Sequence, residues 1–250
     1  MKHLVFWRIL VVAAGVGLLE ALCLAGVIDR ITMQPPHEIA RDLWRMLVSG
    51  RMNAAMRKTL GNAALAFASA ALAGVAFAAL LHGLRQTRAT LDPLFATWYA
   101  VPVFAFYPLL ISVFGLGDLP QVLIGFMLGV VAVIVNTLNG LDRVPRVLLK
   151  TARVGRLGRM RTAASITLPY AAPHILTGVK LAVAYSLIGV VGSEFIMSRG
   201  GIGYEISFAY NNFDNATMYP LIVLIIVLST AINALLSRWE QRLRVRRGQR

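Results

Sequence analysis

A chain of 250 residues that is 58% hydrophobic and only 14% charged, with a mean hydropathy of +0.69, is too apolar for a soluble domain; soluble domains average about 25% charged residues. The formal net charge of +14 invites a nucleic-acid reading, but the basic residues sit in loops and tails flanking apolar runs, the placement that sets membrane topology. No nucleic-acid motif or aromatic-interleaved basic patch accompanies them, and the single cysteine, Cys23, lies inside an apolar run and excludes a disulfide framework or a cysteine-based metal site.

Runs of about 20 apolar residues, enough to cross a hydrocarbon core about 30 Å thick, predict an all-α polytopic membrane protein with six transmembrane helices. The spans fall at 9–28, 59–84, 93–115, 119–140, 174–197 and 218–237. Lys2, His3 and Arg8 before the first span resemble the start of a signal peptide, but its length and the internal Glu20 argue for a retained helix. Between spans one and two, Ile39, Leu43, Trp44, Met46 and Leu47 alternate at helical spacing with Glu38, Arg41, Asp42 and Arg45. This predicts an amphipathic helix in the membrane interface, started by Pro35-Pro36.

Span two is rich in small residues (Gly61, Ala70, Ala71, Ala73, Gly74), and Gly125 and Gly129 give span four a small-xxx-small face. Such residues let helices approach closely in lipid, where apolar attraction between them is weak. Pro102 and Pro108 interrupt span three, which is expected to be a kinked helix. A turn at 115–120, Gly-Leu-Gly-Asp-Leu-Pro, leads into span four.

Between spans four and five lies a polar segment, 141–169. It carries Arg143, Arg146, Lys150, Arg153, Arg156, Arg159 and Arg161 against one acid, Asp142, and closes on Ile166-Thr167-Leu168-Pro169. A loop that merely reconnects two spans needs only a handful of residues, so this one is expected to fold and dock. With this segment, Lys2, Arg8, Arg85, Arg88 and the tail arginines Arg238, Arg242, Arg244, Arg246, Arg247 and Arg250 on one side, the positive-inside rule places both termini in the cytoplasm. The chain then divides into an N-terminal helix with its interfacial segment (1–58), a core (59–237) holding the loop 141–169, and a basic cytoplasmic tail (238–250).

No phosphate-binding loop is present: Gly155-Arg156-Leu157-Gly158-Arg159 has glycines without the spacing or the lysine–hydroxyl pair. The histidines, His3, His37, His82 and His174, are scattered without ligand spacing, and no nucleophile–base grouping occurs. Neither an enzyme, nor a metal, nor a cofactor is expected.

The stretch from Asp92-Pro93-Leu94 to Tyr219 resembles the transmembrane subunit of binding-protein-dependent ABC importers of the type I permease fold, and within it the subgroup handling nitrate, sulfonates and taurine. The residues that carry this are Phe114-Gly115-Leu116-Gly117, Asn136-Thr137-Leu138-Asn139-Gly140, Gly178-Val179-Lys180-Leu181-Ala182, Ser193-Glu194-Phe195 and Gly200-Gly201-Ile202-Gly203-Tyr204. The cytoplasmic signature of that family is only half kept. Ile166, Leu168 and Pro169 match its ending; Lys150, Thr151 and Ala152 stand at Glu-Ala-Ala, and Arg156 stands at its glycine, with Gly155 one residue early.

The resemblance implies that the loop forms a short coupling helix, expected over 150–160 and including Arg153, Gly158 and Arg159, with Pro169 turning the chain afterwards. This helix fits a cleft on a separate ATPase subunit. The implied partners are two such ATPase copies, a second permease copy, a periplasmic solute-binding protein and the lipid bilayer of a bacterial inner membrane, with no nucleic acid.

Ionisable residues inside a span are costly and therefore candidate functional groups. Glu194 is the main one, either on the translocation path or in a pairing or capping role; Trp98, Tyr99, Tyr107, Tyr185, Ser186 and Ser193 are further candidates for the path or for packing. The alternatives left open are a non-transport membrane scaffold subunit, an ion-driven secondary transporter, and an aromatic or heterocyclic cargo in place of a small anion.

Overall fold

The computed structural model describes the backbone of residues 2–30 and 32–246, with the side chains of 2–5, 9, 85, 159, 160, 239, 240 and 242–246 left out of the description. The order is α1 (Lys2–Leu24), α2 (Pro36–Ser49), α3 (Asn53–Gly83), α4 (Arg85–Thr97), α5 (Tyr107–Phe114) and α6 (Asp118–Asp142). These are followed by α7 (Arg146–Val154), α8 (Arg159–Thr162), α9 (Leu168–Ile196), α10 (Ile202–Asn211) and α11 (Asn215–Arg246). Among the described residues there are no strands, and five helices are long and apolar enough to cross a membrane, or six if one bent pair counts as a span.

The core is a seam of α3, α6 and α9 closed on small residues. A Cβ at Gly125 would sit 2.9 Å from Ala66 Cβ and 2.9 Å from Ser186 O, and one at Gly178 only 2.8 Å from Asn136 Cβ. Backbones this close gain dispersion contacts that larger side chains would hold apart. The central position of α6 is plain from burial: 61% of its membrane window is enclosed, against 6% for α1. α1 joins the rest through α2, where His37 Nδ1 lies 2.5 Å from Glu20 Oε1.

The helix expected between spans one and two forms as α2, and part of its apolar face is covered by protein. Leu43 and Met46 pack on a cluster of Met52, Ile202, Ile206, Leu221 and Leu224, while Trp44 stays 69% exposed.

Span three is broken rather than kinked. Gln86–Ala100 and Val103–Phe114 meet at 90°. Val101 is extended (φ −75°, ψ 125°) because the ring of Pro102 disfavours the helical region for the residue before it. Pro108 falls in the first turn of α5, where a missing N–H costs little.

Two expectations about the loop also change. The helix in this loop is α7, which ends at Val154 instead of running over 150–160. And Pro169 does not stop the helix: α8, a π turn at Ala163–Thr167 and α9 follow one another without a break. In the π turn Leu168 N–H donates to Ala163 O, five residues back, and this wider ring makes room for a residue that has no N–H to give.

Candidate functional site

The two ends of the bundle differ in chemistry. At one end stands α7. Its stop is a Schellman motif: Arg156 N–H donates to Arg153 O at 3.0 Å and Leu157 N–H to Ala152 O at 2.9 Å. The motif needs a left-handed residue after the cap, and here that residue is Arg156 (φ +49°), whereas Gly155 keeps φ −73°. So the position matched to the family's glycine is the one whose backbone calls for glycine. An L-residue there costs on the order of 1 kcal/mol.

Ala152 anchors α7 inward at 2% exposure, while Val147 and Val154 are 71% and 85% exposed. They form a solvent-facing apolar stripe on either side of Lys150 and Thr151, both exposed, with Arg146 and Arg153 flanking it. Beneath it a cavity of about 500 Å³ separates α7 from the start of α9, lined among others by Ala152, Arg153, Leu157, Thr167 and Leu168. Ile166 is half-buried in the π turn, Pro169 and Gly158 are exposed, and the side chain of Arg159 lies outside the described residues.

The same end is clamped by Arg88, which donates from Nη1 to Asp142 Oδ1 at 2.6 Å and from Nη2 to Oδ2. This bidentate geometry joins α4 to the end of α6. His82 Nδ1 lies 3.5 Å from Asp142 Oδ1 and Arg88 Nε 3.7 Å from Asp92 Oδ2. Thus the one acid of the loop is held by the bundle, and among the described residues the loop cations Arg143, Arg146, Lys150, Arg153, Arg156 and Arg161 have no carboxylate partner.

At the opposite end a buried polar network is centred on Glu194. Glu194 is 0% exposed and accepts from Thr59 Oγ1 at 3.0 and 2.8 Å and from Gly203 N–H at 3.1 Å; Thr59 Oγ1 in turn accepts from Ile202 N–H at 2.8 Å. The glycines explain the spacing of the motif. Gly201 has φ +107°, and a Cβ there would collide with the Glu194 carboxyl. One polar residue on α9 therefore fixes α3 and the start of α10 at once. Beside it Asn62 Nδ2 donates to Gln121 Oε1 at 2.9 Å, Gln121 Nε2 to Ser198 Oγ at 2.8 Å, and Lys58 Nζ lies 3.0 Å from Asp118 Oδ1.

The candidate path residues separate into two groups. Ser186, Ser193 and Glu194 are all 0% exposed, with Ser186 donating to Gly125 O at 3.2 Å and Ser193 to Val190 O at 2.9 Å. Tyr107 is closed in as well, donating to Met197 O at 2.5 Å. Trp98 is half-buried and donates to Met127 O at 3.1 Å. Tyr99 is exposed, its ring 5.7 Å from that of Tyr185, and lines a cavity of about 270 Å³ with Arg88, Asp92 and Asn139.

Sequence reasoning passed over Asn62, Gln121, Lys58, Ser198 and Arg199. Asn62 and Gln121 carried a usable signal, being polar residues inside apolar runs.

Comparison with known proteins agrees with this architecture. The family described as "Binding-protein-dependent transport system inner membrane component" matches residues 70–245. A nitrate import permease of Leptolyngbya laminosa is 29% identical over 71% of this chain, which spans only 63% of that protein's length. A riboflavin transport system permease of Chloroflexus aurantiacus is 28% identical over 96% of this chain and 88% of its own. For a putative aliphatic sulfonates transport permease of Bacillus subtilis the identity is 26%, over 87% of this chain and 79% of its own.

Among solved structures, an inward-facing form of the MetNI methionine ABC transporter superposes with a TM-score of 0.62 at 16% identity, over 84% of this chain and 99% of that one. The shared fold is that of a type I importer permease. With the family match running from the middle of α3 to the end of α11, the chain belongs to the inner-membrane permease components of binding-protein-dependent ABC transport systems.

Proposed function

We propose that this permease moves a small anion, of the nitrate or sulfonate kind, from a periplasmic binding protein into the cytoplasm, working as a pair of identical chains with two copies of a separate ATPase. In this reading the α7 end faces the cytoplasm, as do both termini, and α7 is the coupling helix.

The observation that carries it is the outward stripe of α7. Val147 and Val154 at 71% and 85% exposure, beside unpaired cations, are costly to leave in water and suit a cleft on another protein with an acidic rim. An ion-driven transporter or a scaffold gives no reason for that stripe. The nitrate and sulfonate relatives support an anionic cargo. The riboflavin relative, matched over nearly its whole length, keeps a heterocyclic cargo as the second reading.

The test reconstitutes the permease with its ATPase and binding protein in proteoliposomes and measures ATP hydrolysis with nitrate, taurine and riboflavin in turn. Stimulation by nitrate or taurine is expected; stimulation by riboflavin alone selects the second reading. The charge reversal Arg153→Glu with Arg156→Glu is expected to release the ATPase during purification. Assembly and transport at the parental rate overturn the docking assignment.

A further inference from the structure

A second feature at the end opposite α7 is not used by coupling. A cavity of about 210 Å³ opens between the start of α3, the start of α6 and the segment joining α9 to α10. Lys58, Gly117, Asp118, Gln121, Ser198 and Arg199 lie in its wall.

Two cations therefore face one carboxylate. Lys58 is shared with Asp118 at 3.0 Å, whereas Arg199 has no carboxylate partner among the described residues. The wall behind them is rigid: Gln121, only 2% exposed, is gripped by Asn62 on one side and by Ser198 on the other. Ser198 is itself tied down, donating to Gly200 O at 2.8 Å. α6, 25 residues long, begins at this wall behind Gly117, which supplies no side-chain cap. Its first turn offers the N–H groups of Asp118 and Leu119 but none at Pro120, and the Asp118 carboxylate already sits at its positive pole. A preorganised, polar, net-positive cavity of this size accepts a compact oxoanion and is too small for a riboflavin-sized guest.

We infer that this cavity binds a small oxoanion, with Arg199 as its main charge partner and Lys58 divided between the anion and Asp118. The inference deepens the reading above, resting on it for the anion's role as cargo; the occupant is the free anion rather than the phosphate of a lipid headgroup.

The test uses the purified permease–ATPase complex in lipid-free detergent, its thermal midpoint followed against nitrate and methanesulfonate at constant ionic strength. The wild type is expected to show a saturable rise. Arg199→Gln, at an exposed position, is expected to bind about tenfold more weakly, and Arg199→Lys to recover part of the loss. An equal rise in the wild type and Arg199→Gln, or none in the wild type, overturns the site. So does a rise with added anionic phospholipid and none with nitrate. Transport in proteoliposomes separates the two claims: saturable binding without anion transport leaves the site standing and removes the anion from the role of cargo.

Discussion

The two ends of this bundle are held together in opposite ways. Opposite α7, the ties between α3, α6, α9 and α10 are mainly buried hydrogen bonds centred on Glu194, Thr59, Gln121 and Gly203, with one partly exposed ion pair, Lys58–Asp118, at the rim. At the α7 end the corresponding tie is the partly exposed Arg88–Asp142 pair, beside an open cavity and a short helix that turns its valines to solvent. A buried network loses heavily when any member is disturbed, whereas an exposed ion pair is worth little and can be exchanged. Under the proposed function, the contrast makes one end a fixed frame and the other the part that meets the ATPase.

The strongest way to break the contrast is Gly201→Ala. The added methyl meets the Glu194 carboxyl at a backbone angle that alanine resists, so a loss on the order of 3 kcal/mol is expected. It is read as a collapse of the thermal midpoint, or of folded yield, in detergent. A near-parental midpoint would show that α10 can shift away, and that this end is not a frame.

A smaller effect of opposite sign sharpens the other side. Arg156→Gly relieves the left-handed cap of α7 and is expected to gain about 1 kcal/mol. Hydrogen exchange on α7 is the suitable readout, and unchanged protection would mean that the cap carries no strain. Smallest is Asp142→Asn, which removes one partner of an exposed pair and is expected to cost no more than about 1 kcal/mol in thermal unfolding. A larger loss would move this end into the same class as the other.

The spans were legible because membrane thickness writes itself into apolar run length. The importance of Glu194 was legible from the cost of a carboxylate inside such a run. Its partner was not, since Thr59 lies 135 residues away and nothing local announces the pairing. The same holds for Arg88 and Asp142, 54 residues apart.

Two local readings went astray for reasons of backbone geometry. A Schellman stop usually advertises itself with glycine, and here an arginine holds that place beside a glycine that does not need it. Pro169 signals a helix end only where the ladder is regular, and the π turn before it removes that condition. Span three failed in the other direction. The residue before Pro102 is extended between two short 3-10 turns, and a full break resulted where a kink was expected.

That right-angled break has a consequence for what surrounds the molecule. Around Val101 and Pro102 the main chain leaves the helical ladder, and peptide groups freed in this way are not tolerated against acyl chains. If the bend lies at hydrocarbon depth, the flank bearing Tyr99 and Phe106, both exposed in the single chain, is expected to be sheltered from lipid by another polypeptide or by a hydrated passage. That shelter would set the bend toward the interior of the assembled transporter.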